Sequence, residues 1–158
     1  MILTAQEEFG LRCALSLARA GREESLTLSQ IADSEGLTTA YAGKLMRLLV
    51  QAGLVESTRG RSGGYALARD ASEITVAEVV GPLGGPLYAG EICTRPATAS
   101  ELCVHNNDCA VRSLWSGMQG MVDSYLGQVT LRDLASDEAT MERTMERIRE
   151  RVVLEEEH

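Results

Sequence analysis

The sequence predicts a mainly α-helical protein with a small β wing: a winged helix-turn-helix followed by a long dimerisation helix. Three observations carry that expectation. Residues 26–53 hold two capped apolar periods joined at Gly36. Residues 54–68 read as strand, turn and strand with arginines at the tip. Residues 110–129 hold a continuous apolar seam at spacings of three and four.

Composition bounds the rest. The chain has 158 residues and is 44% hydrophobic but only 4% aromatic. It has the size of one domain, with a core built from Leu, Val, Ile, Met and Ala. No stretch approaches the ~20 apolar residues of a membrane span. The first residues lack the charged start, apolar run and cleavage pattern of a secretory signal. A cytoplasmic, reducing location is therefore expected, where four cysteines serve better as ligands or redox groups than as disulfides. The net charge of −8 argues against nucleic acid until it is resolved along the chain. Residues 1–70 hold eight Lys/Arg against eight Asp/Glu, whereas residues 71–158 hold seven against fifteen. A docking face feels the local field, not the sum.

The first helix is "TAQEEFGLRCALSLARAG" (4–21). Thr4 caps it, Glu7 completes a capping box and Gly21 ends it. Phe9, Cys13 and Leu17 share a face, while Leu11, Ala14, Leu15 and Ala18 lie on others, so it is buried on more than one side. Cys13 is then a core thiol, and Glu8 and Arg12, four apart, lie on a polar strip.

Thr27 begins the second helix, with Gln30 three on. Ile31 and Ala32 face inward, Gly36 turns and Leu37 plugs the turn. Thr38 caps a third helix that runs to about Ala52 and closes at Gly53. Leu45, Leu48 and Leu49 form its buried stripe. Thr39, Ala40, Tyr41, Lys44 and Arg47 remain on or near the outer side. Alone, this is compatible with an ordinary helical hairpin. The hairpin that follows favours a winged helix-turn-helix. Leu54-Val55 and Tyr65-Ala66-Leu67 flank a tip with Arg59, Arg61 and three glycines, and no acid stands between Glu56 and Asp70. Glycines admit a phosphate backbone closely, and Arg suits a narrow minor groove.

"SEITVAEVVGPL" (72–83) reads as a strand-like start and one or two helical turns, and "GPLGGP" (81–86) as a breaker-rich lead into a loop. In the long helix, Val111, Leu114, Trp115, Met118, Met121, Val122 and Tyr125 form the seam, for which a second copy is the natural partner. Thr130 and Ser136 read as caps of two further helices, the last with Met141, Met145, Ile148 and Val152 on one stripe. The expected division is 1–83 for DNA binding, 84–109 for a cysteine loop and 110–158 for dimerisation and the terminal helices.

Cys93, Cys103 and Cys109 are spaced C-x9-C-x5-C in that loop. The spacing lacks the C-x2-C knuckles of structural zinc and the C-x2-C-x2-C run of ferredoxins. An iron–sulfur cluster, a zinc site, a thiol redox switch and unrelated surface cysteines all remain open. Thiolates serve clusters and zinc alike. A fourth ligand would come from His105, Asp108 or Glu101 nearby, or from the remote Glu8. No Ser/His/Asp or Cys/His constellation accompanies them, and only two histidines are present, so no enzyme is expected.

The order of "IADSEGLTTAYAGKLMRLLVQAGLVESTRGRSGGYALA", "ITVAEVV", three cysteines, "LW" and "VTLRDL" resembles the Rrf2 family of bacterial winged-helix iron–sulfur transcription regulators. The likeness runs to about residue 135 and is most specific in "GLVESTRGRSGGYALA". It implies a homodimer joined by the long helix, through Leu114, Trp115, Met118, Met121, Val122 and Tyr125. It implies a 2Fe–2S or 4Fe–4S cluster held by Cys93, Cys103 and Cys109, with Glu8 of the partner subunit completing the site. Arg112 stands three after Cys109, where some members carry a ligating histidine. Binding to a double-stranded DNA operator is expected through Thr38, Thr39, Tyr41 and Lys44 in the major groove and Arg59 and Arg61 in the minor groove. The cluster would sense redox state, nitric oxide or iron status. A metal-free thiol switch and a zinc-bound regulator remain alternatives on the same scaffold.

Overall fold

The computed structural model describes residues 3–58, 63–86 and 109–155. Helix α1 spans Ala5–Ala20, α2 Leu28–Glu35 and α3 Thr39–Gln51; strands β1 and β2 span Val55–Ser57 and Tyr65–Leu67. A 3-10 turn at Ala71–Glu73 leads into α4, Val76–Gly84. Beyond residue 108 come α5, Ala110–Leu126, α6, Leu131–Leu134, and α7, Glu138–Glu155.

The helix starts follow from side-chain chemistry. Thr4 with Glu7, Thr27 with Gln30, Thr75 with Glu78 and Thr130 with Asp133 each form a reciprocal capping box, and each such cap contributes about 1 kcal/mol. At α7 the structure differs from expectation. Asp137, not Ser136, accepts the free amide of Thr140, at 2.9 Å. A carboxylate there also complements the helix dipole, and the Ser136 hydroxyl turns back to Asp133 O.

Helices α1, α2 and α3 and the hairpin enclose one core that includes Leu17, Ile31, Leu45, Leu49, Val55 and Leu67. Ile74, Val79 and Leu83 extend it along α4. Val76, Val129 and Ile148 centre a second cluster, against which Met141 and Met145 pack. Met46, which the Leu stripe of α3 did not include, is also fully buried, because α3 packs against α1, α2 and α4. Leu26 adds a single antiparallel bridge to Tyr65 through two hydrogen bonds of 2.9 and 2.8 Å, so the wing's second strand is paired on both edges. One paired residue carries no periodicity, which is why sequence alone did not reveal it.

The breaker-rich "GPLGGP" does not end α4 at Gly81: the helix runs through Pro82 to Gly84. Proline removes one amide donor, but burial of Val79 and Leu83 holds the last turn in place. That turn is pinned to α1. A Cβ built at Gly10 would clash with both methyls of Leu83, and the Gln6 side-chain amide donates to Leu83 O. Gly10→Val should cost roughly 1–3 kcal/mol of stability by overpacking. Urea denaturation checks this, and adding Leu83→Ala should recover part of the loss.

Candidate DNA interface and cysteine site

Gly36 adopts the left-handed conformation at φ 66°, which turns the chain sharply from α2 to α3. Thr38 Oγ1 then accepts the Tyr41 amide at 3.3 Å. Because Ala42, Leu45, Met46 and Leu49 are buried, the opposite side of α3 faces outward. Thr38, Thr39, Ala40, Lys44 and Arg47 are all exposed there. No carboxylate stands between Glu35 and Glu56, so this face carries only the two cations. Arg47, three after Lys44, lies on the same face and adds a second cation beside the expected contact residues.

Tyr41 sits differently. It is half-buried, and its ring meets Phe9 of α1 edge-on, with centroids 6.4 Å apart. It divides its surface between the core and the outer face. Gly43 faces α2, where a Cβ would lie 3.4 Å from a Leu28 methyl, an ordinary contact.

The hairpin pairs Val55 with Leu67, Glu56 with Ala66 and Ser57 with Tyr65. It continues one step further, with Thr58 N–H donating to Gly64 O at 2.9 Å. Residue 64 must be glycine, since a Cβ would come within 2.8 Å of Leu26 O. Arg59 and Arg61 lie outside the described residues.

Cys109 is the N-cap of α5, which the loop reading did not foresee. It is a free, half-buried thiol, and its Sγ accepts the Arg112 amide at 3.4 Å. The positive end of a 17-residue helix therefore points at this sulfur. Cys93 and Cys103 lie outside the described residues, as do Glu101, His105 and Asp108. Among the described residues no three His, Cys, Asp or Glu side chains converge on one point. Glu8 lies on α1 and binds Arg12 at 2.7 Å, and that guanidinium lies over the Phe9 ring at 5.8 Å.

Cys13 is the other described thiol, and it is fully buried. Burial, with a smaller contribution from the charge of Glu35, pushes its pKa up to about 11. Only the thiolate is nucleophilic, so Cys13 should resist iodoacetamide at pH 8 in the native protein and react once unfolded, as mass spectrometry of tryptic peptides would show. The sign for stability follows. The folded state keeps the proton that the unfolded chain gives up near 9, so this contribution is intact below about pH 9 and declines as pH rises through 11.

On α5 the apolar seam is bare. Val111, Leu114 and Met121 are each more than half exposed, and Trp115 is 43% exposed. Val122 and Tyr125 are half-buried. The Tyr125 hydroxyl meets Met145 Sδ at 2.8 Å, so Tyr125 is engaged with α7 of its own chain. Among the described residues no helix is long and apolar enough to cross a membrane.

Comparison with known proteins agrees with this architecture. Residues 3–137 match the family model described as Rrf2, iron-dependent transcriptional regulator. The chain is 34% identical to protein rrf2 of Nitratidesulfovibrio vulgaris, over 87% of this chain and 89% of that one. Among solved structures it is similar to CymR, the global cysteine regulator of B. subtilis, at TM-score 0.67 and 31% identity over 87% and 99% of the two chains. It is also similar to T. potens IscR, at TM-score 0.64 and 27% identity over 85% of each. The recognition-type helix pair, the hairpin behind it and the match over nearly the whole length converge: the chain belongs to the Rrf2 family, as a transcriptional regulator with a DNA-binding winged-helix fold and not an enzyme.

Proposed function

We propose that this protein is a cytoplasmic homodimer whose binding to double-stranded operator DNA is controlled by an iron–sulfur cluster. Cys93, Cys103 and Cys109 would hold the cluster, with Glu8 of the partner subunit. The observation that carries this reading is Cys109: a free, partly exposed thiol at a helix N-terminus with a backbone N–H on its sulfur. Such hydrogen bonds tune the potential of cluster thiolates, and the helix end favours a negatively charged ligand set. When bound, the cluster supplies a redox- and ligand-sensitive centre that responds to electrons, nitric oxide or iron supply. The family's iron-dependent description supports the same assignment.

The chain's own residues do the rest. Thr38, Thr39, Tyr41 and Lys44 on α3 meet the major groove or its phosphates, and Arg59 and Arg61 at the wing tip meet the minor groove. Arg59→Ala should weaken operator binding by about 1–3 kcal/mol, and a titration at fixed salt that shows no change would count against the wing assignment. The bare seam of α5, through Leu114, Trp115, Met118, Met121 and Val122, pairs with its copy. Glu8 is held by Arg12 across an exposed ion pair, which costs at most about 1 kcal/mol to break, so its carboxylate is available to a partner's site.

The likeness to a cysteine regulator favours one second reading, a thiol switch at Cys109 without metal. Visible absorption with iron, sulfide and zinc analysis on protein purified without oxygen separates these. Matched iron and sulfide in a coloured protein supports the cluster. A colourless protein with free thiols leaves the thiol switch, and one with a single zinc leaves a zinc-bound regulator; either outcome overturns the cluster.

A further inference from the structure

The wing is anchored from behind by residues that no DNA-facing reading uses. β2 ends at Leu67, and Arg69 and Asp70 follow after Ala68. Arg69 donates to Glu73 O at the end of the 3-10 turn at 2.9 Å and to Glu78 Oε1 on α4 at 2.8 Å. Asp70 reaches α6. Its carboxylate accepts from Arg132 at 2.7 and 3.0 Å, across 62 residues of sequence. Beneath that ion pair the backbones are joined as well. Leu131 N–H donates to Ile74 O at 2.9 Å, and Val76 N–H donates to Val129 O at 2.8 Å.

These contacts connect three places. Residues 127–130 link the long helix α5 to α6, which Leu131 and Arg132 begin. α4 leads directly toward the cysteine segment. Residues 68–70 are the exit of the wing. Leu131, Ile74 and Val129 are buried, so the backbone joint is shielded from water and resists sliding. The ion pair lies above it, and both carboxylates stay charged at neutral pH. Asp70 is held below the ordinary carboxylate range by the Ser72 hydroxyl and amide, and Glu78 by the Thr75 amide and the Arg69 guanidinium.

We propose that Asp70 and Arg132 are positioning residues for the wing, locking the segment that follows β2 to the start of α6, just beyond the end of α5, so that a change in α5 packing re-aims the hairpin on DNA. Arg132 is itself largely exposed, belongs to neither α3 nor the hairpin, and its one described ion-pair partner is Asp70. The inference rests on the reading of the hairpin as a DNA-contacting wing.

The test uses the full-length protein and a labelled duplex selected by the wild-type protein from random sequence. Arg132→Glu places two carboxylates together and should weaken binding roughly five- to tenfold, the effect of about 1 kcal/mol or slightly more. Hydroxyl-radical protection in the minor groove under the wing should fade, while guanine-methylation protection in the major groove persists. Arg132→Lys keeps the charge and should bind and protect as wild type does. A merely structural or net-charge role would instead weaken both kinds of protection together in Arg132→Glu, and that result, or wild-type affinity, overturns the inference. An Arg59→Ala, Arg61→Ala double variant separates the two readings. If it binds normally, the wing itself is misassigned and the inference falls with it. If it binds weakly while Arg132→Glu binds normally, the wing stands and only its linkage to α5 is wrong.

Discussion

Leu114→Asp should convert the protein to a monomer and weaken operator binding by about a hundredfold or more. The reason lies in what α5 leaves exposed. Val111, Leu114, Trp115, Met118 and Met121 form one stripe, and each is at least a third exposed. Fully burying a large apolar side chain is worth roughly 1.5–3 kcal/mol, so pairing two such stripes supplies ample energy for a stable dimer. A carboxylate at position 114 would be desolvated without a partner in that seam, which costs several kcal/mol and is avoided by dissociation. Two half-sites read by one dimer are normal for helix-turn-helix regulators, and a monomer forfeits the second half-site. Sedimentation velocity reports the mass, and a titration at fixed salt reports the affinity. Ser116→Asp, on the exposed side of α5 away from the stripe, supplies the control and should stay dimeric. A Leu114→Asp protein that remains a dimer with normal affinity would remove α5 as the interface.

The parts of this molecule governed by local chemistry were legible in the sequence. Thr4, Thr27, Thr38 and Thr130 cap helices as their spacing indicates, and Gly36 makes the turn that its backbone freedom permits. The amphipathic stripes of α1 and α3 also point where expected, because a period of 3.6 residues decides which side chains meet the core. What sequence missed depends on distant partners. Pro82 stays helical because Leu83 is gripped by Gly10, 73 residues earlier. Leu26 pairs with Tyr65, and Asp70 with Arg132; none of these pairs leaves a local pattern. Tyr41 reads as an outward residue on the helical period, yet Phe9 draws its ring half inward. Cys109 shows both sides of the limit. Its place in a cysteine-rich segment marked it as a ligand candidate, but its role as the cap of α5 depends on where the helix begins, which loop composition does not define.

A mixed dimer of Cys109→Ser and Glu8→Ala subunits should recover about half of the wild-type visible absorption, although each homodimer alone is bleached or loses iron quickly. The expectation follows from where the two groups sit. Cys109 starts α5, the helix with the bare seam, whereas Glu8 lies on α1 with its carboxylate on Arg12, not on Cys109. If Glu8 completes the partner's site, the Glu8→Ala chain brings three cysteines and the Cys109→Ser chain brings the missing carboxylate, so one of the two sites is whole. If Glu8 serves its own chain, neither site is whole, and the remaining colour decays as fast as in the Glu8→Ala homodimer instead of persisting at the wild-type rate. A carboxylate is a hard ligand on a centre otherwise held by soft thiolates, so loss of Glu8 should speed iron release more than it lowers the initial colour. Cys13→Ser provides the control, since that buried thiol should leave the absorption untouched. Full absorption and slow iron loss in Glu8→Ala homodimers would remove Glu8 from the site and return the fourth position to His105, Asp108 or Glu101.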